Sequence, residues 1–230
     1  MRDFLVSSTY IGLLITLGFY LLGTRLQKRC RFPLCNPLLI SIAATIIYLL
    51  ISKVEYSVYA SSTNALSYLL TPATVCLAIP LYEQLEPLKK NGKAILAGIF
   101  SGVITSLVTV LLLAMAFGLS HEDYVTLLPK SITTAIGMGV SEELGGYVSI
   151  TVACIIVTGV LGNIFAEIIC RLFRITEPVA RGVGIGTATH AIGTARAMEI
   201  GPVEGAMSSL SIVVAGVITV VGAAVFANFY

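Results

Sequence analysis

Five stretches of this chain run with almost no charge for about the length an α-helix needs to cross a bilayer, roughly 20 residues. They are Phe4 to Thr24, Pro37 to Ser52, Ala94 to Leu119, Val148 to Cys170 and Ala206 to Phe229. Membrane-barrel strands are alternating segments of about 10 residues, so the pattern predicts helices. Charged residues make up 11% of the 230, against about 25% in soluble domains, while 57% are hydrophobic and the mean hydropathy is +0.95. Too little charge is left to clothe a water-facing surface. The fold class expected is an all-α polytopic membrane protein.

The basic residues set the expected topology. Ten of the fourteen Lys and Arg lie in three clusters: Arg25 to Arg31, Lys89 to Lys93 and Arg171 to Arg181. Cytoplasmic loops carry the excess Lys and Arg, so all three clusters belong inside, and the Glu122-Asp123 turn belongs outside. The first apolar run has its basic cluster after it and no small-residue cleavage site, unlike a secretory signal. It therefore reads as a retained helix with the N-terminus outside. The lack of an Arg- and Ser-rich transit peptide favours a bacterial plasma membrane. Helices at about 4–24 and 34–52, a segment at about 63–82 and a helix at about 94–119 then alternate across the bilayer. Arg171, Arg174 and Arg181 stay inside only if Leu127 to Gly146 enters and leaves on the outer side, as a re-entrant hairpin.

An internal repeat supports that hairpin. Residues 133–145 read TTAIGMGVSEELG and residues 189–201 read THAIGTARAMEIG, with Thr133/Thr189, Ala135/Ala191, Ile136/Ile192, Gly137/Gly193, Glu143/Glu199 and Gly145/Gly201 coinciding without a gap. A long apolar helix follows each copy. Under the topology above the copies are inverted, the second hairpin (about Gly182 to Gly201) entering from the cytoplasmic side. Inverted repeats with Gly-interrupted segments that meet near the midplane are the architecture of secondary transporters. A weaker echo, TPATVCLAIPLYEQL, stands at 71–85. The expected fold thus has about six transmembrane helices plus two re-entrant or broken-helix hairpins. It is a single membrane domain over 1–230, with N-terminal helices to 119 and repeat units at 127–170 and 182–229.

Four basic residues lie outside the clusters: Arg2, Lys53, Lys130 and Arg196. The first two fall at outer helix ends. Lys130 and Arg196 fall inside the repeat units, where an ionisable residue points to function, although either could snorkel to an interface. In the functional reading the two tips present helix N-termini and the hydroxyls of Ser131, Thr133, Thr134, Thr187, Thr189 and Thr194, with Gly193 allowing close approach. Helix N-termini favour anions. Arg196 could grip a carboxylate through two N–H groups and Lys130 add a point charge, which suits a small organic anion. His190 reads either as hydrogen-bonded structure or as a carrier of the coupling proton. Glu142 and Glu143 read as a solvated rim or as coupling and gating groups. Glu199 reads as a gating group or as a partner of Arg196 or Arg181, and Glu167 as half of a structural ion pair.

Other function classes find no support. There is no GxSxG, HExxH or P-loop, and the five cysteines and two histidines lack metal-ligand spacing. No enzyme, metal or cofactor is expected. A net charge of +2 without a basic patch gives no reason to expect nucleic acid.

The stretches FPLCNPLL (32–39), LAIPLYEQL (77–85), LLPKSITTAIGMGVSEELGG (127–146) and ARGVGIGTATHAIGTARAMEIGPVEGAMSSL (180–210) resemble the LrgB family, with its CidB-type relatives, over essentially the whole chain. Positions 135 and 138–140 depart from the Pro-Ile-Ala-Met-like run of that family. The resemblance implies one of two roles. One is an antiholin-like partner of a small LrgA/CidA-like membrane protein, modulating murein hydrolase export and cell lysis. The other is a carrier of small monocarboxylates such as pyruvate, glycolate or lactate, as in the plastidial glycolate/glycerate translocators and two-component pyruvate carriers. The inverted repeat and the cations inside it favour the carrier. Partners expected are the bilayer, a small organic anion and the LrgA-like subunit, with homo-oligomers left open and both termini outside.

Overall fold

The computed structural model describes residues 10–30, 36–76 and 78–230, and every regular element among them is helical. The chain forms two compact units, Met1–Cys76 and Leu77–Tyr230.

In the first unit, α1 (Ile11–Cys30) packs along α2 (Pro37–Ser52). Asn36 starts α2: its side chain accepts the Leu38 and Leu39 amides, and Pro37 takes the first helical position, where a missing N–H costs nothing. A Cβ on Gly23 would lie 2.8 Å from the Pro37 carbonyl oxygen, so the two backbones meet there. The short α3 (Tyr56–Ser62) is tied to α1 by the Thr16 and Tyr59 hydroxyls, 2.7 Å apart, and α4 (Asn64–Cys76) follows. The first helix was expected over 4–24; it starts at Ile11 and runs on through Arg25, Lys28 and Arg29, and positions 4–9 lie outside the described residues. The segment expected at 63–82 is two helices, α4 and α5 (Ala78–Glu83), with Leu77 between them outside the described residues.

The second unit begins with α5 and the long α6 (Leu85–Phe117). Its 33 residues exceed the expected span of 94–119, because Lys89, Lys90 and Lys93 lie on exposed early turns rather than in a loop. Gly118, in the left-handed region at φ 60°, ends it. Then come α7 (His121–Leu127), α8 (Thr134–Glu143), α9 (Val148–Leu172), α10 (Pro178–Ile200) and α11 (Pro202–Phe226), closed by a 3-10 turn, Ala227–Phe229. Helix α6, expected to end the N-terminal block, packs here against α10 and α11.

Two segments of this unit fold back on themselves. The Tyr147 amide donates to the Thr126 hydroxyl at 2.7 Å, the Thr151 hydroxyl to the Thr126 carbonyl at 2.9 Å, and the Tyr147 hydroxyl to Glu122 at 2.9 Å. The chain between Thr126 and Tyr147 therefore leaves and returns to one place. In α10 the helical path breaks at His190 (φ 44°, ψ −140°). Before the break, Gly182 and Gly186 lie against the Glu204 and Ser208 backbone of α11. After it, the Thr194 hydroxyl meets that of Ser208 at 2.7 Å, and Gly205 sits on Met198. The two arms of α10 thus run in opposite senses with His190 at their turn. A 25-residue helix follows each folded-back segment, α9 in one case and α11 in the other.

The two segments are rooted at opposite ends of the unit. Gly98 lies opposite Val183 and Gly102 opposite Thr187, so α6 runs alongside the first arm of α10 in the same sense. At the far end, the Tyr124 hydroxyl donates to the Phe226 carbonyl at 2.9 Å and the Tyr230 hydroxyl to that of Leu119 at 2.6 Å. One end therefore carries Lys89, Lys90, Lys93 and Arg181, the other Glu122, Asp123 and Tyr147. The turn at Lys130 approaches the turn at His190 from the acidic end.

Three described helices are long and apolar enough to cross a membrane: Leu88–Phe117, Val148–Leu172 and Pro202–Phe229; Pro37–Ser52 is shorter. Val213, Val217 and Val221, one turn apart on α11, are each more than 60% exposed. Such an apolar stripe needs lipid or protein against it. This is a membrane protein built of helices.

Candidate functional site

The two turns meet at a cavity of about 390 Å³. Lys130 and Ser131 come from the first turn, Thr187, Ala188 and Thr189 from the second, Ser106 with Thr105 and Thr109 from α6, and Thr158 from α9. The Lys130 ammonium donates to Ser131 Oγ at 3.1 Å and Ser106 Oγ at 3.2 Å, and those hydroxyls lie 3.2 Å apart. Among the described residues no carboxylate stands within ion-pair distance of it. Among the described residues the Thr187 hydroxyl, on a residue 6% exposed, finds no hydrogen-bond partner. A cation without a counter-charge and a hydroxyl without a partner are both costly away from water. A small anion lodged in the cavity would satisfy the first and offer an acceptor to the second.

The sequence-predicted residues divide. Ser131, Thr187 and Thr189 line the cavity with Lys130. Thr133 and Thr134, both half-buried, start α8 outside that lining. Thr194 is fully buried and bonds to the His190 carbonyl and Ser208. Gly193 gives room to Thr189, whose Cβ would be 2.6 Å from any Cβ added there. His190 is 3% exposed, and its ring lies over Gly159 on α9. Its Nε2 is 3.1 Å from the Ile155 carbonyl; since a carbonyl only accepts, Nε2 carries a proton. A non-glycine residue at positive φ costs roughly 1–3 kcal/mol, and these buried contacts hold it.

Arg196 lies apart from the cavity. It sits on the second arm of α10, bridging Glu167 of α9 and Glu199. Glu167 also meets Arg171 at 3.0 Å. The physical reason is helix phase: on that arm the Arg196 side chain faces the basic end of α9, where Glu167 offers a carboxylate. Glu142, Glu143 and Glu199 are exposed. Outside the spans, Tyr147 has its phenol raised above the usual range by its hydrogen bond to Glu122 and that group's charge. It stays a donor at neutral pH.

Sequence reasoning missed the α6 wall and Thr158. Gly98, Gly102, Thr105, Ser106 and Thr109 recur at three- and four-residue steps within an apolar run, the spacing of one helix face. It also missed Glu204, which is 6% exposed and pairs with Arg181 at 3.3 Å.

Two folded-back segments around a cavity that holds Lys130 and several hydroxyls are accompanied by a decisive sequence match: residues 16–229 fit the model of the LrgB-like family. The chain belongs to that family. Among LrgB-like relatives, "Holin-like protein CidB" of Staphylococcus aureus is 39% identical over 219 residues, covering 95% of each chain. The protein of the same name from Staphylococcus epidermidis is 39% identical over 207 residues, 90% of each. "Antiholin-like protein LrgB" of Bacillus mycoides is 37% identical over 221 residues, 96% of each. Neither name is that of an enzyme. No solved structure matches this LrgB-like chain.

Proposed function

We propose that this LrgB-like protein is a holin- or antiholin-like element of a bacterial membrane, and that inside the bilayer it binds and passes a small organic anion. The relatives' names, holin-like and antiholin-like, support the first part and favour the antiholin-like reading over a carrier. The observation that carries the second part is Lys130, a cation with no carboxylate partner among the described residues, at a cavity shared by two helix turns. In this reading both folded-back segments are re-entrant hairpins, irregular backbone being tolerated at membrane depth where it is buried in protein or lines a water-filled cavity. The two units act as one LrgB-like domain, with a small LrgA/CidA-like subunit as partner. The end carrying Lys89, Lys90 and Lys93 faces the cytoplasm, and both termini lie outside.

The two parts have separate tests. Proteoliposomes holding the protein, with and without the small subunit, should take up radiolabelled pyruvate, glycolate or lactate, and Lys130→Met should abolish the uptake. Uptake in neither preparation would sink the anion reading. For the lysis part, deletion of the gene should change the rate of autolysis, and the wild-type gene should restore it. An unchanged rate would sink that part alone.

A further inference from the structure

We propose that a small anion reaches the cavity from the end carrying Lys89, Lys90 and Lys93, along a groove between α6 and the first arm of α10, and that Gly98 holds this groove open. The traveller rests on the anion reading above; the route does not.

A second cavity, also of about 390 Å³, adjoins the first. Asn91, Ala94 and Glu177 line its outer part, and Gly98 and Gly184 belong to both linings. Along α6 the wall runs from Asn91 through Gly98 to Ser106, about 22 Å at 1.5 Å per residue. Along α10 it runs through Ala180, Gly184 and Ala188, one turn apart. The plain alternative is that small residues let two helices touch. Gly184 argues against it, because a Cβ built there meets nothing within 4 Å. At Gly98 a Cβ would come 3.2 Å from Val183 Cγ1, so a longer side chain would fill the junction of the cavities.

Charge at the mouth suits an anion. Lys89, Lys90 and Lys93 are all exposed on the turns that bear Asn91 and Ala94. The nearby Glu177 carboxylate is taken up in accepting the Val179 and Ala180 amides at 2.6 and 3.2 Å. At the other end, Tyr124, Val125, Leu128 and Ile132 are at most 2% exposed and pack the first folded-back segment solid.

The test is cysteine accessibility in membrane vesicles of both orientations, with Lys93→Cys defining the basic side. Gly98→Cys, in the otherwise unaltered chain, is treated with the anionic reagent sulfonatoethyl methanethiosulfonate, and labelling above that of the parent is counted. The expected result is labelling at least about tenfold faster from the basic side. The anionic rate should fall about threefold or more when Lys89, Lys90 and Lys93 become Gln, while the cationic trimethylammonium reagent is not slowed. Labelling chiefly from the opposite side, from neither side, or at a rate indifferent to the lysines overturns the route. Gly184→Cys, where the new side chain has room, serves if Gly98→Cys does not fold. Uptake without labelling from the basic side defeats the route alone; labelling without uptake defeats the anion reading alone.

Discussion

Replacing Lys130 by methionine removes the charge but keeps most of the stem, and the geometry predicts opposite effects on binding and stability. A hydrogen bond to a charged group is worth about 1.5–3 kcal/mol, and 1.4 kcal/mol is tenfold in affinity, so a bound carboxylate should be held roughly 10- to 100-fold more weakly. Stability should behave otherwise. The ammonium has no carboxylate partner among the described residues, and two neutral hydroxyls offset only part of its desolvation, so removing the charge relieves a cost. The Ser106 and Ser131 hydroxyls it leaves are 3.2 Å apart and keep each other. Thermal unfolding in detergent or nanodiscs should show a midpoint unchanged or raised, while anion binding or uptake collapses. A lysine with only a structural task gives the reverse: a lowered midpoint with transport intact. That result would refute the assignment.

Three further outcomes follow from the packing. A double-mutant cycle on Arg196 and Glu167 should give about 1 kcal/mol of coupling in thermal unfolding, because both side chains are a quarter or more exposed and solvent screens the pair. Gly186→Ala would put a Cβ 2.7 Å from Ser208 Cα and should cost about 1–3 kcal/mol, whereas Gly184→Ala, with empty space, should be neutral or stabilising in the same unfolding assay. Single cysteines at positions 123 and 175 should label from outside and inside respectively; labelling of position 175 from outside would break the proposed topology.

Much of the helical layout was legible because it is local. Charge-free runs mark α6, α9 and α11, the three described helices long and apolar enough to cross a membrane, and one copy of the Thr, Gly and Glu repeat precedes each of the last two. The break itself was less legible. Glycines were the expected breakers, yet the chain turns at His190, whose positive φ is held by contacts with Ile155 and Thr194. The cavity's third wall was overlooked, since one polar face on α6 means little until the facing helix is known.

The sequence by itself determined a helical membrane protein with two related segments and two cations, Lys130 and Arg196, inside those segments. Only the tertiary structure decided between those cations. Arg196 faces Glu167, 29 residues away in the chain, and is neutralised there, while Lys130 meets hydroxyls alone. Which carboxylate a basic side chain finds depends on helix phase and on which helices lie side by side, and neither is written in the spacing of residues along one segment.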